Sequence, residues 1–170
     1  IQSTHDTDFE VVALIQGDEP MFDPNDIQHA IKTLAANESY SIVNLMNRSE
    51  SHEEFVDYNN VKVVVDHDNN AMYFSREPIP SMWKSKEQFS VYIQTGLIIF
   101  RVNYLKRFLT MKKTPLEKIE SCDMLRVLEH GDRIRMLKTK SKSMGVDTKK
   151  DLQVVEHLMT NDLICPKYMG

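Results

Sequence analysis

Three short stretches of this chain combine residue types that could hold a metal ion or an anionic ligand. The first is Gln16-Gly17-Asp18-Glu19-Pro20. It follows Glu10 to Ile15, a mostly apolar run that reads as a central strand buried on both sides. Ligands of open α/β sheets bind beyond the carboxyl ends of the strands. A carboxylate at that position, Asp18 with Glu19, can ligate Mg²⁺, which takes oxygen donors and bridges phosphate oxygens. The other reading of the same residues is a solvated turn, since Gly, Asp and Pro are ordinary turn formers.

The second stretch is Gly145-Val146-Asp147-Thr148, where Asp147 is either a ligand or a loop residue that helps cap the helix begun at Thr148. Lys138, Lys140, Lys142, Lys149 and Lys150 surround it. They could attract a polyphosphate by their field, but such a set is more often a solvated face, and that is the reading adopted. The third is Arg76, whose planar fork suits a carboxylate or phosphate or, more simply, an ion pair with Glu77.

The elements that must position these groups are legible from periodicity and punctuation. Asp23 and Pro24 are a cap and a first helical residue, and Ile27, Ala30, Ile31, Leu34 and Ala35 follow at helical spacing up to Asn37. Ser41 to Met46 reads as a strand. Val61 to Asp66 and Ala71 to Ser75, joined by His67-Asp68-Asn69-Asn70, read as a hairpin. Pro78 and Pro80 make an extended loop to about Glu87. Val91 to Val102 is the strongest strand signal, and Gly96 within it marks a bulge or a close backbone approach.

Thr114-Pro115-Leu116-Glu117 is a capping box. It opens a helix with Leu116, Ile119, Leu125 and Leu128 on one face, ended by Gly131. Ile134 to Leu137 is a further strand, and Thr148 with Asp151 caps a last helix carrying Leu152, Val155, Leu158 and Met159. Strands alternating with helices, with one hairpin among them, predict a single α/β domain with a mixed sheet.

Composition sets the outer limits. The 170 residues are 41% hydrophobic and 27% charged, with a formal net charge of -4. That balance lacks the basic footprint of nucleic-acid binding. The apolar stretches, Val11 to Ile15 and Leu97 to Phe100 among them, are far too short to span a membrane. Cys122 and Cys165 have no metal-ligand spacing, and no signal peptide is visible, which together predict a cytoplasmic protein.

Taken in order, these segments resemble the 3-deoxy-manno-octulosonate (KDO) cytidylyltransferase family. The resemblance is carried by Gln16 to Pro20 with Asp23-Pro24; Val61-Lys62-Val63-Val64; Ala71 to Arg76 with Pro78-Ile79-Pro80; Thr114 to Glu117 through Leu125-Arg126 and Leu128-Glu129; and Gly145 to Thr148 with Asp151-Leu152. It covers almost the whole chain. It implies a Rossmann-like nucleotidyltransferase domain with a protruding hairpin, of which residues 1–170 are the C-terminal two-thirds and the N-terminal part is absent.

The implied activity joins an acidic 2-keto sugar to CTP, giving a CMP-sugar and pyrophosphate for cell-surface polysaccharide synthesis. It also implies Mg²⁺ on Asp18 and Asp147, Gln16 and Arg76 in the sugar and nucleotide site, and a homodimer formed through the region from Ser75 to Ser90, with Met82 and Trp83 as anchors. The family's Gly- and Arg/Lys-containing triphosphate loop has no counterpart here, so the 170-residue chain alone is expected to be inactive. Four sugar-side positions also depart from the pattern. Gln94 and Ile98 stand where the family has His and Tyr, and Asp123 and Met124 where it has Glu and Gln. These are expected substrate contacts, and their substitution points to KDO or a less polar relative. The alternatives are a sialic-acid-like sugar, or a non-catalytic remnant serving as a dimerisation or binding module.

Overall fold

The computed structural model describes residues 9–84, 89–139, 141, 145–146 and 148–162. Six strands form one mixed sheet: β1 (Val11–Ile15), β2 (Ile42–Arg48), β3 (Lys62–Val65), β4 (Ala71–Ser75), β5 (Tyr92–Arg101) and β6 (Arg135–Lys138). The order is β4-β3-β5-β2-β6, with β1 also paired to β5. Only β2 and β6 run parallel. β5 holds the assembly together, because β2 follows one edge of it while β3 (at Tyr92 and Ile93) and β1 (at Leu97 to Arg101) share the other.

The core lies on both faces of β2 and β5. Ile42, Met46, Ile98 and Phe100 point to one side, and Val43, Leu45, Leu97 and Ile99 to the other. A strand buried on both faces calls for a mostly apolar run, which Leu97 to Phe100 gives β5, whereas β2 is interrupted at its buried Asn44. Helix α1 (Pro24–Ala35) covers the second side with Ala30 and Leu34. Its start matches the reading from sequence: Asp23 accepts from Asn25 N and Pro24 follows. Three helices, α3 (Val102–Thr110), α4 (Pro115–Glu120) and α5 (Met124–Glu129), cover the first side. α6 (Lys149–Thr160) begins with the expected capping box, Thr148 with Asp151.

Four features differ from the sequence reading. β1 is paired on one edge only among the described residues, and Leu14 and Ile15 are exposed, so it is not buried on both sides here. The short α2 (His52–Val56) has a single buried residue and does not stand out, and α3 lacks a side-chain cap to mark its start although Tyr104, Leu105 and Phe108 lie at helical spacing. The long helix expected from Thr114 to Gly131 is two helices. Ser121 turns left-handed at φ 51°, and the chain restarts at Met124. Ile119, assigned to the buried face, is consequently 78% exposed. At the far end, Gly131 is left-handed as expected.

The hairpin forms one end of the strand order and folds back at its tip. Ala71 N donates to Ile134 O and Met136 N to Asn69 O, joining the hairpin to the start of β6. The described residues contain no helix long and apolar enough to cross a membrane.

Candidate functional site

An open cleft of about 1540 Å³ lies at the end of the sheet where β1 and β2 finish and β5 begins. Its wall carries Gln16, Asp18, Arg76, Gln94 and Asp123, five of the residues singled out from sequence. Three segments build it.

The loop after β1 packs on the backbone of Gly96. Gln16 N donates to Gly96 O (3.2 Å), and Gly96 N donates to Glu19 Oε1 (2.7 Å). A Cβ at Gly96 would lie 2.5 Å from Gln16 Oε1 and 2.8 Å from Gln16 Cβ, so this position admits only glycine without displacement of the loop. Both readings of Gly96 hold: the ladder shifts register between Asn44 and Met46, opposite Gly96, and the loop approaches closely. Glu19 is thereby tied into the fold. Asp18 presents an exposed carboxylate with no side-chain partner among the described residues, while its carbonyl accepts from Val146 N at 2.9 Å. Asp147 lies outside the described residues. Its neighbours Gly145 and Thr148 both line the cleft.

The second segment is the hairpin side. Arg76 Nε donates to Glu120 O (2.9 Å), Nη1 to Tyr58 O (2.9 Å) and Asn59 O (3.2 Å), and Nη2 to Ser121 O (3.3 Å). The expected ion pair with Glu77 is absent: four of the five guanidinium N–H groups hold backbone carbonyls. Lys62 is 0% exposed, and its ammonium donates to Asp57 O (2.9 Å), Asn60 O (2.8 Å) and Arg76 O. The four consecutive carbonyls of residues 57–60 are thus gripped by two cations. Burial pushes the Lys62 ammonium below its ordinary pKa, against the pull of Asp57, Glu77 and Glu120. Lys62 was missed as a site-building residue, although a lysine inside an apolar strand was its available signal.

The third segment is the joint between α4 and α5. Cys122 is buried there, and burial, followed by the nearby charge of Asp123, pushes its thiol up to about 12. A thiol so held is not a nucleophile at neutral pH. Asp123 sits in the concave wall, reached by solvent yet crowded by protein, and that crowding raises its carboxyl pKa. Behind it, Arg126 pairs with Glu117 at 2.5 Å, both buried, with the guanidinium 4.5 Å from the Phe108 ring centre.

Ile98 and Met124 are not brought to the cleft. Both lie in the apolar core, 2% and 0% exposed, because Ile98 faces the helical side of β5 and Met124 starts α5 with its side chain inward. Neither residue lines the cleft. The described members of the basic set do not line the cleft either. Lys138 Nζ lies 4.9 Å from the Tyr92 ring centre, and Lys149 and Lys150 are exposed on α6, while Lys140 and Lys142 lie outside the described residues. Among the described residues, the cations lining the cleft are Arg48, Arg76, Lys113 and Lys118.

A mixed α/β sheet with a polar cleft beyond its strand ends is the arrangement of a ligand-binding α/β domain. The chain belongs to the cytidylyltransferase family, which matches it over residues 1–136. Among its relatives, the 3-deoxy-manno-octulosonate cytidylyltransferase of Geobacter metallireducens is 41% identical over 162 residues, covering 89% of this chain and 64% of the relative. That of Solibacter usitatus is 38% identical over 155 residues, covering 91% and 62%. The chain therefore spans somewhat less than two-thirds of the length of these relatives. A solved CMP:2-keto-3-deoxy-manno-octonic acid synthetase complexed with CTP superposes with a TM-score of 0.85 at 29% identity, covering 92% of this chain and 64% of that one. A glucose-1-phosphate thymidylyltransferase structure from Bacillus anthracis shares the fold alone, with a TM-score of 0.57 at 16% identity.

Proposed function

We propose that this chain supplies the metal-side loop and the sugar-side wall of a CTP-dependent cytidylyltransferase acting on an acidic 2-keto sugar, KDO or a close relative. The observation that carries the reading is the convergence of the Gln16–Glu19 loop, Arg76, Gln94 and Asp123 on one cleft. The resemblance of the flanking motifs to KDO cytidylyltransferases supports it. The sugar's anomeric hydroxyl attacks the α-phosphorus of CTP, the bond to the β-phosphate oxygen breaks, and pyrophosphate leaves.

The donor set suits Mg²⁺. Asp18 offers a hard carboxylate oxygen to the cleft, and Mg²⁺ needs only one or two protein carboxylates when phosphates complete its shell. Asp147 is the second ligand in this proposal. When bound, the ion offsets phosphate charge and lowers the pKa of the attacking hydroxyl. The protein's own part is positioning. Glu19 fixes the loop against Gly96, so Asp18 is held without sharing its carboxylate. Arg76, anchored by four carbonyls, keeps one N–H of its fork for an anionic group of the ligand. Gln94 and Asp123 line the sugar side, whereas Ile98 and Met124 back that wall from the core.

The same reading places the protein in the cytoplasm, where CTP is made, in the synthesis of cell-surface polysaccharide. It also assigns a homodimer through the Ser75 to Ser90 region, where Met82 and Trp83 are exposed. Residues 1–170 alone are expected to show no turnover. The test is pyrophosphate release by the protein expressed from its complete reading frame, with CTP, Mg²⁺ and a panel of 2-keto sugar acids. Release with KDO or a relative, together with a CMP-sugar of matching mass, supports the reading. No release with any acid sugar overturns it.

A further inference from the structure

Asn44 is 0% exposed in the middle of β2 and makes more directed contacts than any apolar residue there could. Its Nδ2 donates to Leu97 O (2.9 Å) and Thr95 O (3.0 Å), with Leu45 O more distant at 3.3 Å. Thr95 and Leu97 flank Gly96. At this point β5 carries three residues, Thr95 to Leu97, opposite the single Leu45 of β2, so ladder carbonyls lose their strand partner. The Asn44 amide replaces that partner. On the other side of the bulge, Gly96 meets Gln16 and Glu19. The Asn44 Oδ1 meanwhile accepts from Gln94 Nε2 at 2.7 Å, leaving Gln94 Oε1 beside the weak Cys122 thiol donor at 3.5 Å.

We propose that Asn44 is a positioning residue that couples the two halves of the cleft. One end of its amide holds the bulge that presents Gly96 to the Asp18 loop, and the other end aims Gln94 at the sugar. Gln94 then offers its oxygen and its second N–H to the ligand, because Asn44 engages one N–H of its amide and fixes the amide plane. This rests on the cytidylyltransferase reading for its kinetic part and is independent of it for its structural part.

Amide hydrogen exchange on the protein expressed from its complete reading frame tests the structural part. In Asn44→Ala, the Gly96 and Gln16 amides should exchange on the order of ten-fold faster than in the parent, while β3 and β4 amides stay as they were. Gln94→Met should leave Gly96 and Gln16 unchanged. Asn44→Thr, which suits a strand but cannot bridge both carbonyls, gives the same reading if the alanine variant does not fold. Parent-like exchange at Gly96 and Gln16 in a folded Asn44 variant overturns the proposal.

In the complete enzyme, Asn44→Ala and Gln94→Met should each raise the KM for the sugar acid on the order of ten-fold, and the double variant should go no further than the larger single effect. Only the Asn44 variant should also lower kcat, through the loop. Multiplicative KM effects, or an unchanged kcat in Asn44→Ala, would reject the coupling. Absence of turnover in the parent would instead reject the cytidylyltransferase reading and leave the exchange result to decide the role of Asn44.

Discussion

Asp18 and Glu19 are neighbours with the same charge, and the fold gives them different work. Glu19 accepts from Gly96 N, so its carboxylate belongs to the loop's anchorage. Asp18 keeps its carboxylate at the cleft. Asp18→Asn should therefore lower pyrophosphate release in the complete enzyme by about 100-fold or more, the usual scale for one lost electrostatic group. Thermal unfolding should be unchanged, and full rate in the variant would end the metal assignment. Gly96→Ala is a different experiment. The new Cβ meets side-chain atoms of Gln16 and Glu19 at 2.5 to 2.8 Å, and one of those atoms is a Cβ tied to the backbone. The expected cost is about 1–3 kcal/mol in chemical denaturation, with loss of activity as the loop shifts. Sequence exposed the glycine and the two acids but not this division of roles, because the close approach joins residues 77 apart.

At the scale of elements, the joint between α4 and α5 organises one wall of the cleft. Glu117 has two tasks: it accepts from Thr114 N at the helix start and pairs with Arg126. The Arg126 guanidinium beside it, outweighing burial, holds its carboxyl below the ordinary value of about 4.3. The sign follows from linkage. A carboxyl whose folded pKa is depressed contributes stability that is complete above its unfolded pKa and is lost as pH falls through its folded pKa. Denaturation midpoints should thus fall with acidification below about pH 4.3, and this part of the slope should vanish in Glu117→Gln. Arg126→Leu leaves the carboxylate buried without its partner, and its expected cost is about 3–5 kcal/mol by urea denaturation at neutral pH. The capping box that starts α4 was legible in Thr114 to Glu117. The break at Ser121 was not, because serine is an unusual left-handed residue and the apolar spacing runs on past it.

For the whole molecule, the sheet order brings the hairpin, the β1 loop and the α4–α5 joint to one cleft, and it leaves Trp83 71% exposed on the segment after the hairpin. If that segment is the dimer contact, sedimentation equilibrium should give a dimer for the parent, and Trp83→Asp should weaken association at least about 100-fold, the scale of a central aromatic anchor. A monomeric parent at tens of micromolar concentration would remove the dimer assignment. The sequence by itself determined the local elements. Pro24 and Thr148 mark helix starts, Gly131 a left-handed stop, and the β-branched and apolar residues of β2 and β5 mark strands, because these signals depend on dihedral preference and periodicity over a few residues. Only the tertiary structure decided what each polar side chain serves. Arg76 and Lys62 grip backbone carbonyls, Ile98 and Met124 enter the core, and Asn44 reaches Gln94, 50 residues away. Those outcomes hang on the strand order and on a bulge opposite Leu45 that changes which residues face each other, and neither is written in the spacing of apolar residues along the chain.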